Sequence, residues 1–321
     1  MQILNKLDNV QFDISRYDGN AGLKTLICAI GYEERSSFVL EKLMSYFPPE
    51  SIICFFFDDY LKHEHSKRKY DELTTKGIMP VVLSYGNHVE FISVLERKLL
   101  PGLAADKVNT VHVDYSSMPR GWYCKMPYLF SINMRVNDQI YFWYTEGDYQ
   151  IDGAGYPSAG INDFTVFSGI ATLRPSNNRS HVFGLGYDPV RIQAICTVVD
   201  PNYLVVCYSH PSSDKIIADR VRSLNEEIIS SAAFSFSLPL EDFSFSVSKL
   251  REVSNELLAK GDVILIPNGP KPLILASSVI PDLVCKPGIV CLHTRRHSTG
   301  FTAVNVKPTG RIYGFTFRGS K

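Results

Sequence analysis

The sequence predicts an α/β protein of two tandem parallel-sheet domains, and three observations lead there. The chain has 321 residues, 45% hydrophobic and 21% charged, a composition that suits two globular domains of about 150 residues each. Its second half repeats its first in six blocks that keep the same order. Within each copy, short apolar runs alternate with stretches of helical periodicity, the pattern of parallel strands joined by helices.

The first block pairs TLICAIGYEER, holding Gly31, with HVFGLGYDPVR, holding Gly186; in both, an apolar strand ends in Gly-Tyr-acid and an arginine follows. The second pairs SIICFFFDDY with YLVVCYSHPS, each followed by a charged helical stretch. The third pairs MPVVLSYG with FSFSLPLE, each leading into a helix whose apolar residues recur at helical spacing: Val89, Ile92, Leu95 and Leu99, against Phe243, Val247, Leu250 and Leu257. The fourth pairs TVHVDYSSMPRGWY with DVILIPNGPKPLIL, a strand and tight turn closed by Pro119-Arg120 in one and Pro270-Lys271 in the other. QIYFWYTEGDY then matches GIVCLHTRRHS, and YPSAGINDFTVFSG matches VKPTGRIYGFTFRG with one residue gapped. Residues 26–30, 52–57, 204–208 and 263–266 are near-continuous apolar runs, as strands covered on both faces require.

Each copy thus reads as a Rossmann-like domain that ends in a β-hairpin-like extension, and the two copies are expected to pack as a pseudo-dimer. The turn-rich stretch IATLRPSNNRS places a linker at 170–180, between domains at 1–169 and 181–321.

Thirty-three basic and thirty-three acidic residues give a formal net charge of zero, so the overall balance does not call for a nucleic-acid polymer or an anionic membrane. The N-terminal stretch lacks the pattern of a secretory signal and no apolar run approaches a membrane span, so a cytoplasmic location is expected. Most of the seven cysteines lie in apolar runs and read as core residues rather than disulfides. His63 and His65 are two apart on a charged helical stretch and point to different sides, so no metal site and no cofactor is expected.

In open parallel sheets ligands bind beyond the carboxyl ends of the strands where strand order reverses, which directs attention to the loops after the first and fourth strands of each copy. The first-strand loops carry Gly31, Tyr32, Glu33 and Arg35, and Gly186, Tyr187 and Arg191. The fourth-strand loops carry Asp114, Ser116, Ser117 and Arg120, and Asn268, Gly269 and Lys271. Glycine lets backbone approach a ligand, helix starts offer free amides to an anion, and small polar residues beside a cation suit a phosphate. Each feature also has a plainer reading: the glycines as tight turns, the tyrosines as wedges, Arg35 with Glu33 as an ion pair, and Asp114 as a helix cap. Gly184 and Gly186 do not make a dinucleotide fingerprint, because the later glycine is missing.

The run IPNGPKPLILASSV, with Gly269, Pro270 and Lys271, resembles the fourth-strand signature of the CRISPR-associated Rossmann fold (CARF) superfamily. Two such domains in one chain are similar to the SAVED arrangement, in which paired CARF-like units sense cyclic oligonucleotides in bacterial defence. Pro270 stands where the family has Thr or Arg, and the first copy has Met118-Pro119-Arg120 in place of Gly-x-Lys. The resemblance implies an anti-phage sensor: a nucleotide-like ligand is held between the two halves by Arg120, Lys271 and the loop amides, Tyr32 and Tyr187 contact bases or sugars, and a separate effector protein gives the output. The alternatives from other classes are a nucleotide-processing hydrolase using Glu33 or Asp114 on a phosphodiester or N-glycosidic bond, and an adaptor with an empty pocket.

Overall fold

The computed structural model describes residues 7–10, 24–46, 49–102, 108–148, 161, 163–168, 178–210, 215–295 and 305–318. The chain divides into two compact units, one of residues 2–150 with 303–321 and the other essentially 151–302.

In the first unit the strands β1 (Leu7–Val10), β2 (Lys24–Ile30), β3 (Ser51–Phe57), β4 (Val81–Leu83), β5 (Thr110–Asp114) and β6 (Gln139–Asp148) are connected through α1 (Phe38–Tyr46), α2 (Glu64–Thr75), α3 (His88–Lys98), α4 (Arg120–Tyr123) and α5 (Met126–Asn133). The second unit opens with β7 (Asp163–Ser168) and continues through β8 (Arg179–Leu185), α6 (Pro189–Val199), β9 (Tyr203–Ser209), α7 (Lys215–Leu224), α8 (Glu226–Ser231), β10 (Phe234–Leu238), α9 (Phe243–Leu258), β11 (Asp262–Pro267), α10 (Lys271–Val284) and β12 (Ile289–Arg295). The last strand, β13 (Lys307–Arg318), returns to the first unit.

The two sheets run β1-β13-β6-β5-β2-β3-β4 and β7-β12-β11-β8-β9-β10, so the five parallel strands of each copy keep one order. Register agrees as well. Thr25 faces Ser51 and Thr110 pairs with Lys24 in one sheet, while Ser180 faces Tyr203 and Asp262 pairs with Arg179 in the other. Five of the six repeat blocks are therefore structural equivalents, and the α/β reading with two Rossmann-like units holds. The doubly covered strands supply the cores: Leu26, Cys28, Ile30, Cys54 and Phe56 with Trp143 in one unit, and Phe183, Leu185, Val206, Ile264, Ile266 and Val290 in the other. Side-chain caps start three of the helices: Asn87 accepts from the Glu90 amide, Asp188 from Arg191 and Asp242 from Phe245.

The sixth block departs from expectation. Neither copy folds its own extension back as a hairpin: β6 pairs antiparallel with β13, and β12 pairs antiparallel with β7. A boundary at 169 or 181 is corrected accordingly, since 163–168 belong to the second sheet and 307–318 to the first. The proposed linker is likewise shortened, because Arg179 and Ser180 lie in β8, while 170–177 are outside the described residues. The registers of the two extensions also differ. Phe315 faces Phe142, whereas Cys291, the counterpart of Phe142, faces Ser168 beside a β-bulge. Both extensions are short alternations of aromatic and small residues, so either could satisfy the open edge of either sheet, and pattern alone does not choose between them.

β1 adds a further antiparallel strand outside β13, with Leu7 facing Phe317. Gly314 sits over the indole of Trp143, and a Cβ there would overlap the Cζ3 edge of the ring. Gly314→Ala is expected to destabilise the first unit by about 1–3 kcal/mol through overpacking. Urea unfolding would register this as a lowered midpoint, and an unchanged midpoint would contradict this packing.

Candidate functional site

Both sheets reverse strand order where the chain's first and fourth parallel strands lie side by side, at β2/β5 and β8/β11. All four loops singled out from the sequence leave these strands at their carboxyl ends.

In the first unit β2 ends at Ile30, and a single 3₁₀ turn over Glu34–Ser37 turns the chain into α1. Arg35 is buried here rather than presented outward. Its Nε donates to Glu33 Oε2 at 2.7 Å, and its Nη1 donates to the Thr145 carbonyl at 3.3 Å and to Tyr144 Oη at 3.4 Å. The second unit repeats the device: buried Arg191, in the first turn of α6, donates from Nη2 to the carbonyl and the hydroxyl of Thr294. Thr145 and Thr294 hold the same place in β6 and β12.

The fourth-strand loops close onto the same threonines. Ser116 Oγ accepts the Thr145 amide at 2.9 Å, and Asn268 Oδ1 accepts the Thr294 hydroxyl at 3.0 Å. Arg35, Ser116, Arg191 and Asn268, expected from the sequence to touch ligand, form one clasp per unit that ties the two switch-point loops to the fifth parallel strand. The physical cause is burial: a guanidinium shielded from water must spend its donors inside the fold, and carbonyls at a strand end are the available acceptors. The two threonines were visible in the matched blocks TEGDY and TRRHS; their role was not.

The glycines are resolved by contact distance. A Cβ on Gly186 would stand 2.8 Å from the Asn268 carbonyl oxygen, and one on Gly269 would stand 2.8 Å from the Leu185 carbonyl oxygen, so both exist to let the two loops of the second unit touch. Asn225, which the sequence did not single out, fixes that contact by donating to the Gly186 carbonyl at 2.9 Å. Gly31 is different, since a Cβ there would meet only the Phe57 ring at 3.7 Å, an ordinary contact.

The two carboxylates considered for catalysis are engaged in their own loops. Glu33 is bonded to Arg35, and Asp114, buried at the end of β5, accepts the Ser116 amide at 3.0 Å and so shapes the turn. A Ser–His pair is also present, with Ser36 Oγ 3.3 Å from His65 Nε2. Ser36 is fully buried and donates to the Gly31 carbonyl, while His65 Nδ1 faces Arg68 rather than a carboxylate. Burial, then Arg68 and Lys69, lower the His65 pKa. The pair therefore lacks both the access and the orienting acid of a nucleophilic dyad. Among the described residues there is no cluster of three or more His, Cys, Asp or Glu side chains able to hold a metal ion.

The remaining residues of these loops lie at matched places in the two units. Arg120 and Lys271 are both the first residue of a helix, behind Pro119 and Pro270, and both are half-buried. Neither helix start is capped by a side chain. The Ser117 hydroxyl is shielded from solvent and has no hydrogen-bond partner among the described residues. Tyr32 and Tyr187 follow the first-strand glycines and are half-buried.

Fold and loops together define a duplicated Rossmann-like α/β protein with one strand-order switch point in each unit. No family model and no curated protein matches the chain. Among solved structures it is similar to a protein described as a universal stress protein from Pseudomonas aeruginosa UCBPP-PA14, at 8% identity and a TM-score of 0.26, over 86% of this chain and 95% of that one. It is also similar to an N-terminal ketoreductase from a macrolactin assembly line, at 8% identity and a TM-score of 0.25, over 88% of this chain and 72% of that one. Neither likeness bears on function, and the fold assignment rests on the chain's own topology. No helix among the described residues is long and apolar enough to cross a membrane.

Proposed function

We propose that this chain is a nucleotide or cyclic-oligonucleotide binding sensor that works through a separate effector in an antiviral defence system. The observation that carries the reading is the recurrence of a proline followed by a cation, Pro119-Arg120 and Pro270-Lys271, at the first helical position after the fourth parallel strand in both units. Surface residues between the copies have diverged, yet this pair is kept at the point where Rossmann-like sheets receive phosphates. The resemblance of residues 266–279 to the CARF signature supplies the defence context. A hydrolase is less well supported, because Glu33 and Asp114 are each engaged within their own loops.

Arg120→Ala and Lys271→Ala are each expected to weaken binding by about 1.5–3 kcal/mol, the value of a charge-assisted hydrogen bond to phosphate. A thermal-shift screen against mono-, di- and cyclic nucleotides, with each hit re-examined by chromatography, checks this. An intact hit weakened by both substitutions supports the sensor, a hit recovered as fragments moves the reading to a hydrolase, and the absence of any shift removes the nucleotide reading.

A further inference from the structure

Beyond the ends of β2, β3 and β4 the first unit gathers an aromatic corner that its repeat does not copy. Tyr32 meets Tyr60 edge-on at 4.8 Å between ring centroids, and Tyr60 lies 6.0 Å from Tyr85. His63 closes one side, 5.7 Å from Tyr32. Phe57 underlies the group, 5.4 Å from Tyr85 and 5.3 Å from Trp122. By strand register and helix start, the counterparts of Phe57, Tyr85 and Trp122 are Ser209, Leu240 and Leu273, which line a small cleft in the second unit.

A purely structural plug would be buried, as Tyr115 and Tyr123 are in the core of this unit. Here three tyrosines are used, and Tyr85 keeps 46% of its surface exposed. Burial, and after it Tyr85, Asp59 and Glu33, push the Tyr60 phenol up to about 12, and burial followed by Glu33 raises that of Tyr32. The Tyr60 and Tyr32 hydroxyls therefore stay protonated at neutral pH, and the exposed Asp58 and Asp59 stand in the same 3₁₀ turn as Tyr60. Ring faces offer stacking to any planar heterocycle, and the Asp58 and Asp59 carboxylates accept hydrogen bonds from an amino group while repelling a phosphate.

We propose that this corner is a nucleobase subsite taking a base with an exocyclic amino group, adenine, cytosine or guanine, against Tyr85 and Tyr60; the assignment rests on the nucleotide reading above. The first unit then reads the base, and the phosphate is left to the Pro-cation helix starts.

Calorimetric titration of the full chain with AMP, CMP, UMP, ribose 5-phosphate and tetramethylammonium tests this, using wild type, Tyr85→Ala, Tyr60→Ala and Tyr85→Phe. The expected result is that AMP and CMP bind more tightly than UMP and ribose 5-phosphate. Tyr85→Ala should lose roughly five- to hundred-fold in AMP affinity, the range for removing one stacking partner; Tyr60→Ala, whose ring stands at 75° to that of Tyr85 and so meets the base edge-on, should lose less, and Tyr85→Phe should retain most of it. AMP binding unchanged in both alanine variants overturns the subsite and leaves the nucleotide reading standing. Tetramethylammonium binding that is lost in the alanine variants, with no preference among nucleotides, overturns it in favour of a cage for a methylated cation. If wild type binds none of the nucleotides, the subsite and the nucleotide reading fall together.

Discussion

Removing residues 305–321 is expected to unfold the first unit and leave the second folded, although the deleted segment follows the second unit in sequence. β13 pairs with β6 from Ile312 opposite Thr145 to Arg318 opposite Gln139. Phe315 stacks on Phe142 at 5.1 Å, and Phe317 packs edge-on against the same ring at 5.5 Å. Both are buried. Emptying two buried phenylalanine sites costs about 6–10 kcal/mol, counting about 3–5 for each, before any ladder hydrogen bond is counted. That is comparable with the whole stability of a domain, about 5–15 kcal/mol. Hydrogen exchange read by mass spectrometry on the truncated chain should show lost protection in β5 and β6 and retained protection in β11 and β12. The opposite distribution would mean that the extension serves its sequence neighbour and that the exchange of strands is wrong.

Arg191→Met should be the most damaging single change among the residues considered for ligand binding, and it should act without any ligand. The side chain is buried and gives two hydrogen bonds to Thr294, which also anchors Asn268. Charge-assisted bonds are worth about 1.5–3 kcal/mol each, so a loss of about 3 kcal/mol or more is expected, and the abandoned Thr294 carbonyl adds to it. In a unit of this size such a loss lowers Tm by on the order of 10 °C. Arg35→Met should cost less, because Glu33 is partly solvated and can be rehydrated. Calorimetric melting of the unliganded protein distinguishes the two roles: an Arg191→Met variant that melts with wild type would return this arginine to the ligand site and dissolve the clasp.

The contrast between Arg191 and Lys271 shows how far the sequence reaches. Both recur at matched positions, and from the sequence both read as ligand-binding residues. The structure leaves Lys271 half-buried at a helix start and draws Arg191 inside, a difference that depends on where the Thr294 carbonyl lies and is invisible to spacing. Helix faces show the same limit. Phe243, Val247, Leu250 and Leu257 are all buried in α9, as their periodicity predicts. In α3, however, Val89 stands exposed, and Phe91 and Val94 join Leu95 and Leu99 in the core. A long helix averages over its apolar positions, whereas a short one can rotate by a residue to suit its neighbours. The aromatic corner escaped notice because Tyr32, Tyr60, His63 and Tyr85 come from three separate loops that only sheet order brings together.

The sequence by itself determined the duplication, the alternation of strand and helix, the succession of five strands along each copy, and the loops that follow the first and fourth of them. These follow from local hydrophobic pattern and from self-similarity, both of which are written along the chain. Only the tertiary structure decided which sheet each extension strand completes and which polar residues of the loops are buried in the service of the fold. Those outcomes depend on the burial and hydrogen-bond partners of groups far apart in sequence, where a buried guanidinium becomes a clasp once strand-end carbonyls come within its reach.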